Sequence, residues 1–294
     1  MDYSKNELEN ELRICRGQIA ELKKENEELV RNLYKVNEKL RDSERLKGHF
    51  ISNITNEIVN PFASVLALAE NIRQLKEGEM EQAHRMSTLI TEEASHLDFQ
   101  LKNIFAAALI ESGMEAIKIA AIKIDDLSVQ IDRYFQPQLI KKGIRLSVRC
   151  INSVLPEAPI LFASDREKLD LILKNLISNS IKYSPEGSVI ELDFILENGK
   201  LSIEVSDHGK GIGADDRQVV FDRFKQLDEK INSINTGHGL GLSIVQSYTE
   251  MLGGKVSLAD NYSGGVRVMV VLPEGVETDD WEDLEDFLLD TEVC

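Results

Sequence analysis

The chain has 294 residues, 42% of them hydrophobic and 29% charged, a balance that supports a buried core and excludes a body embedded in lipid. Its net charge is −17, and residues 277–294 hold nine acidic side chains and no basic one, so over half of the excess lies in that segment. Such a charge excludes general binding to nucleic acid or to anionic membranes.

Residues 5–47 read as one long helix with a heptad pattern. With Leu8 at d, the d series is Leu8, Cys15, Leu22, Leu29, Val36 and Ser43, and the a series is Leu12, Ile19, Asn26, Leu33, Leu40 and Lys47. Charged residues fill the flanks, as a coiled coil requires. Asn26 at an a position favours a parallel, in-register dimer, because a buried amide is satisfied only opposite another amide. The alternative is a single amphipathic helix lying on a globular body.

The apolar seam changes phase after Leu46 and runs through Ile51, Ile54, Ile58, Phe62, Val65, Ala69 and Ile72. Pro61 lies inside this helix and predicts a bend. A turn is expected at Glu77, Gly78 and Glu79, then a second helix to about Ser112 or Gly113 with Met86, Leu89, Leu97, Leu101, Ile104 and Ala108 toward one side. Two such helices cannot bury their seams alone; as a dimer they make a four-helix bundle.

Beyond Gly113 short β-like runs (117–122, 144–150, 160–162, 189–196, 201–207, 255–259 and 265–272) alternate with helical stretches (124–142, 166–183 and 240–251). This mixture predicts an α+β layer with helices packed on one sheet. In the tail, Trp281, Leu284, Phe287 and Leu288 share a helical face while acidic residues surround them. That profile fits a motif folding into a partner's groove or onto this chain's own body, and equally a solubilising tail. Cys15, Cys150 and Cys294 are too scattered for a metal or redox pair, which fits a reducing compartment. With a polar N-terminus and no run of about 18 apolar residues, the expected location is cytoplasmic, without a membrane span.

Four blocks carry chemistry. In NLISNSIKY at 175–183, Asn175 and Asn179 are four apart on a helix and share a face. Amide oxygens are hard neutral ligands suited to Mg²⁺ that already carries phosphate oxygens, and Lys182 lies close enough to meet a phosphate. In DHGKGIG at 207–213, Asp207 closes a strand, where its carboxylate can accept the exocyclic amine of adenine; Gly209, Gly211 and Gly213 allow close backbone approach. Phe221 and Phe224 flank a helical turn, and the polar stretch 225–236 that follows has the makings of a mobile lid. In GHGLGLS at 237–243, the glycines, Leu240 and Leu242 open a helix whose N–H groups can cradle phosphates.

Each block alone is weak, since glycines after strands usually only make turns. In this order and spacing they closely resemble the ATPase domain of histidine kinases, of the wider group shared with DNA gyrase, Hsp90 and MutL, and 237–273 follows the kinase version to its final strand and proline. The resemblance implies ATP and Mg²⁺ as cofactors. It implies Asn179, with Asn175, as the metal ligands, Lys182 and Tyr183 as nucleotide contacts, and Asp207 as the adenine reader. It casts Gly209, Gly211, Gly237, Gly239 and Gly241 as phosphate-loop and lid-hinge glycines.

Upstream, FISNITNEIVNPF at 50–62 is similar to the family's dimerisation and phosphoacceptor box. The phenylalanine, Glu57, Asn60 and Pro61 align, but Asn56 occupies the place of the histidine and Val59 that of the arginine. Imidazole has a free lone pair near neutral pH, whereas an amide nitrogen's is delocalised into its carbonyl and cannot attack a γ-phosphate. Autophosphorylation at this place is therefore not expected. His49 shares the face but lacks the following carboxylate. Glu57 stands where the family keeps a proton acceptor, and Asn60 where it keeps the group that positions water against a partner's aspartyl phosphate.

The resulting expectation has four parts: 1–47 coiled coil, 48–113 helical hairpin, 114–275 ATP-binding domain and 276–294 acidic tail. The chain reads as a dimeric regulatory pseudokinase in a two-component phosphorelay, partnered by a response-regulator receiver domain or another signalling kinase. The alternatives are a response-regulator phosphatase using Asn60, a kinase phosphorylating a histidine in trans, or an ordinary histidine kinase with an engineered change at Asn56.

Overall fold

The structure, a computed structural model, describes residues 13, 18, 21–24, 26, 28–34, 37, 58–76, 78–153, 158–213, 216–217, 219–222, 239–261 and 264–275. The chain divides into two units, Met1–Ser52 and Asn53–Cys294. In the first, every described residue is helical and exposed, including the seam positions Leu22, Leu29 and Leu33.

The second unit starts with two helices. Residues 58–73 (α1) include Pro61, and α2 spans Met80–Ser112. Gly78 turns between them at φ +98°, a left-handed conformation that costs glycine little. Gly113 ends α2 at φ +68°, where its N–H bonds back to the carbonyl of Ile110. The buried residues of α2 are Phe99, Asn103, Ala106 and Ala107, a face distinct from the expected seam, whose Leu89 and Ala108 are exposed.

The rest is a layer of three helices on a mixed sheet. In chain order come β1 (Ala120–Lys123), α3 (Ile124–Lys142), β2 (Arg145–Asn152), β3 (Leu161–Ser164), α4 (Arg166–Tyr183), β4 (Val189–Glu197) and β5 (Lys200–Ser206). A 3₁₀ turn at Val219–Phe221, α5 (Gly241–Met251), β6 (Lys255–Asp260) and β7 (Val266–Pro273) complete it. The five-stranded sheet has the order β2-β4-β5-β7-β6, with β2 parallel to β4 and the other pairs antiparallel. β1 and β3 form a separate antiparallel pair.

Alternation along the strands puts one sheet face into the core: Ile190, Leu192 and Phe194 on β4, Leu201, Ile203 and Val205 on β5, Val268, Val270 and Leu272 on β7. Against it pack Ile124, Leu127, Ile131 and Phe135 of α3, Leu169, Ile172, Leu176 and Ile177 of α4, and Ile244 and Val245 of α5. Helix α4 lies between its neighbours, touching both α3 and α5. It starts at Asp165, whose carboxylate accepts the N–H groups of Glu167 and Lys168.

Helix α2 docks on this helical layer. It contacts α5, the Tyr134 hydroxyl on α3 donates to the Ser95 carbonyl at 3.1 Å, and the amide of Asn175 on α4 donates to Asn103 Oδ1 at 2.7 Å. Just past α2, the buried Lys168 ammonium meets Glu115 and Asp165, each at 2.9 Å. The chain leaving α2 is thereby pinned to the first turn of α4. No helix of the described residues is long and apolar enough to cross a membrane.

Candidate functional site

The expected site residues that the structure describes gather around the second half of α4, the end of β5 and the start of α5. Asn175 and Asn179 lie one turn apart on α4, and both face Gly241. A Cβ added at Gly241 would stand 2.8 Å from Asn175 Oδ1 and 3.6 Å from Asn179 Nδ2, so only glycine lets α5 begin this close to the two amides. Asn175 is buried, and its Nδ2 also donates to the Leu171 carbonyl at 2.9 Å.

Helix α5 opens from Gly239, at φ +67°, through the buried Leu240. No side chain caps it, so its first-turn N–H groups keep their capacity for an acceptor, the arrangement that favours an anion. Leu242 follows in that first turn and is half-buried.

Asp207 is held from several sides. Its Oδ1 accepts the N–H groups of Gly209 at 2.9 Å and Val266 at 3.1 Å, which fixes the carboxylate plane. Among the described residues its Oδ2 receives only a long contact, 3.3 Å, from the Ser180 hydroxyl, leaving it capacity for a further donor such as an amine. The Asp207 carbonyl accepts the Asn261 side chain at 2.9 Å, while its N–H bonds to the Val266 carbonyl. Two glycines make room: a Cβ at Gly265 would collide with the Asp207 carbonyl, and one at Gly209 would lie 2.9 Å from the carbonyl of Tyr183.

Tyr183, at the exposed end of α4, carries the ammonium groups of Lys182 and Lys210 over its ring at 5.1 and 5.5 Å. The end of α4 is itself capped by Lys142 of α3, whose ammonium donates to the carbonyls of Ile181, Lys182 and Ser184. Gly211 has φ +78° and Gly213 follows it, while Phe221 closes the 3₁₀ turn. Phe224, Gly237, the lid stretch 225–236, Asn56, Glu57 and the acidic tail lie outside the described residues. Asn60 is described: it is exposed on α1.

Sequence reasoning passed over Ser180, Asn261 and Gly265, which aim Asp207, and Asn103, which holds Asn175. Ser180 had a signal of sorts, standing next to Asn179 on the block already singled out. Asn103 had none, being 72 positions from its partner.

Residues 164–276 match the family described as "Histidine kinase-, DNA gyrase B-, and HSP90-like ATPase". Along most of the chain the similarity is to "Sensor histidine kinase YcbM" of Bacillus subtilis, 27% identical over 230 residues that cover 78% of this chain and 72% of that protein. It extends to "Autoinducer 2 sensor kinase/phosphatase LuxQ" of Vibrio cholerae, 30% identical over 235 residues. The ATPase match and the sensor histidine kinase relatives support a histidine kinase with a GHKL-type ATPase domain. The histidine-kinase match to LuxQ covers 79% of this chain but only 27% of LuxQ. Full-length ShkA, solved in complex with AMPPNP, shares the histidine-kinase fold at a TM-score of 0.54 and 23% identity, covering 80% of this chain and 47% of that one.

Proposed function

We propose that this chain is an ATP- and Mg²⁺-binding signalling protein of the phosphorelay type that forms a parallel dimer and, lacking an acceptor histidine, acts as a regulatory pseudokinase. The observation that carries the nucleotide reading is the convergence of Asn175, Asn179 and Gly241 beside an uncapped helix start, with Asp207 oriented nearby. The donor set fits the ligands: amide oxygens are hard enough for Mg²⁺, and Asp207 Oδ2 is a directed acceptor for an amine. When bound, Mg²⁺ would neutralise phosphate charge. Asn179 and Asn175 would hold it, Lys182 and Tyr183 would contact the nucleotide, and Gly209, Gly211, Gly213, Gly239, Gly241, Leu240, Leu242 and Phe221 would shape the cradle, with Gly237 and Phe224 on the lid side. The relative solved with AMPPNP supports this choice of ligand.

The pseudokinase reading rests on Asn56, whose amide cannot serve as a phosphoryl acceptor. The dimer reading rests on the heptads of 5–47 and on the apolar side chains that α1 and α2 leave exposed, among them Phe62, Leu66, Leu89, Phe105 and Leu109. The four-part division at 47, 113 and 275 is part of this proposal, as are a receiver domain as partner and a groove for residues 281–288.

Incubation with labelled ATP tests it, comparing the protein with its Asn56→His variant. Label on the variant alone is the expected result; label on the parent would sink the pseudokinase reading.

A second reading is favoured by Asn60, which is exposed on α1 and so open to a docked partner. A phosphatase for a response regulator needs that amide and not the histidine, and the name of LuxQ includes both kinase and phosphatase. Accelerated loss of label from a phosphorylated receiver domain, abolished by Asn60→Ala, would establish this reading in place of the first.

A further inference from the structure

Two buried amides form a directed chain that links the helical stem to the nucleotide site. Asn103 on α2 and Asn175 on α4 are 5% and 4% exposed. Asn103 Nδ2 donates to the Phe99 carbonyl at 3.1 Å, and Asn175 Nδ2 donates to the Leu171 carbonyl at 2.9 Å. A backbone carbonyl only accepts, so both amide orientations are fixed by chemistry: the atom facing each carbonyl must be nitrogen. Asn103 Oδ1 is then the acceptor of the second Asn175 N–H, at 2.7 Å. With one N–H spent on the Leu171 carbonyl of its own helix and the other on Asn103 of α2, Asn175 has only its Oδ1 to present to Gly241, beside Asn179.

We infer that Asn103 is a positioning residue for the nucleotide site, reaching from the stem helix to hold the Asn175 amide with its oxygen toward Gly241 and Asn179. The inference deepens the nucleotide reading and rests on it. Removing the Asn103 acceptor leaves a buried Asn175 N–H without its partner, and the amide, now held only by the Leu171 carbonyl, loses the second bond that sets its tilt. Its Oδ1 is then no longer fixed in the direction of Gly241 and Asn179. Groups that orient a metal ligand without touching the metal typically alter its affinity by about 10- to 100-fold when removed.

Calorimetric titration of the full chain with ATP, once with Mg²⁺ and once with EDTA, tests this. In Asn103→Leu the Mg²⁺-dependent gain in ATP affinity is expected to fall about 10-fold, while the affinity in EDTA stays within about twofold of the parent. Asn103→Ala takes the place of the leucine variant if the latter does not fold, as judged by circular dichroism. An unchanged Mg²⁺-dependent gain overturns the inference, and so does an equal loss with and without the metal, which marks a merely structural contact. A parent chain that takes up no nucleotide overturns the nucleotide reading itself.

Discussion

Helices α2 and α4 touch each other yet live in different surroundings. Helix α4, 18 residues long, buries ten of them on a wide arc, because α3, α5 and the sheet enclose it. Helix α2 has 33 residues and buries four, all within Phe99–Ala107 where it meets the ATPase layer. α4 is thus specified by its own fold. Over most of its length α2 presents apolar side chains that nothing among the described residues covers, the pattern expected of a helix whose seam awaits further packing. The Asn103–Asn175 pair joins them, and the Lys168 cluster ties the chain just past the end of α2 to the first turn of α4.

The sharpest way to break that contrast is at the cluster. Lys168 and Asp165 side chains are 5% and 4% exposed, so Lys168→Met strands the carboxylates of Asp165 and Glu115 without their cation. The expected loss is about 3–5 kcal/mol of unfolding free energy, measured by denaturant titration. Burial alone would raise the Asp165 pKa, but N–H groups of Lys118 and Lys168 and the Lys168 ammonium hold it below its ordinary 3.8. Burial alone would lower Lys168, but Glu115 and Asp165 hold it above its ordinary 10.5. A depressed acid contributes stability above its unfolded value and loses it as pH falls through the folded one. A raised base contributes below its unfolded value and loses it as pH rises through the folded one. The gap between parent and variant should therefore be flat across the neutral range and close only in strong acid and strong base.

Next in size is the core of α4. Leu173 is fully buried, and Leu173→Ala should cost about 3 kcal/mol through lost burial plus the cavity left behind, read from the same titrations. A cost below about 1 kcal/mol would mean that α4 is not enclosed as described.

Gly265→Ala probes the support of Asp207. Its φ of +92° disfavours any side chain, and the new Cβ would meet the Asp207 carbonyl. The expected destabilisation is about 2 kcal/mol, accompanied by loss of adenine-nucleotide uptake in calorimetry. Retained uptake would separate Asp207 from nucleotide recognition.

How much of this was legible in the sequence follows from the range of the interactions. Helices α3 and α4 announce themselves locally, α4 through the Asp165 cap and α3 through the glycine that ends it at Gly143, so 124–142 and 166–183 are the spans observed. The turn at Gly78 and the stop at Gly113 are equally local. Strand neighbours are not: that β2 pairs with β4 and β7 lies between β5 and β6 is decided by the closing of the core. The motif blocks bring Asn175, Asn179, Asp207 and Gly241 to notice, but not Asn261 or Gly265, which act through backbone atoms that any residue possesses. The second face of α2 was hidden because Asn103, Ala106 and Ala107 do not read as an apolar stripe.

The smallest effect on folding is expected at Phe105. It is 62% exposed on α2, two positions from the buried Asn103 and on the opposite side of the helix. Phe105→Ala removes little that a single chain buries, so the unfolding free energy of the monomer should change by less than about 0.5 kcal/mol. If exposed α2 side chains are kept for a second copy, the same substitution should weaken dimerisation in sedimentation equilibrium while leaving the ATPase domain intact. A variant that dimerises like the parent and unfolds earlier would reverse the contrast, placing Phe105 in the core of one chain. Equal stability with weakened association would show that the stem is completed by a partner and the ATPase layer by itself.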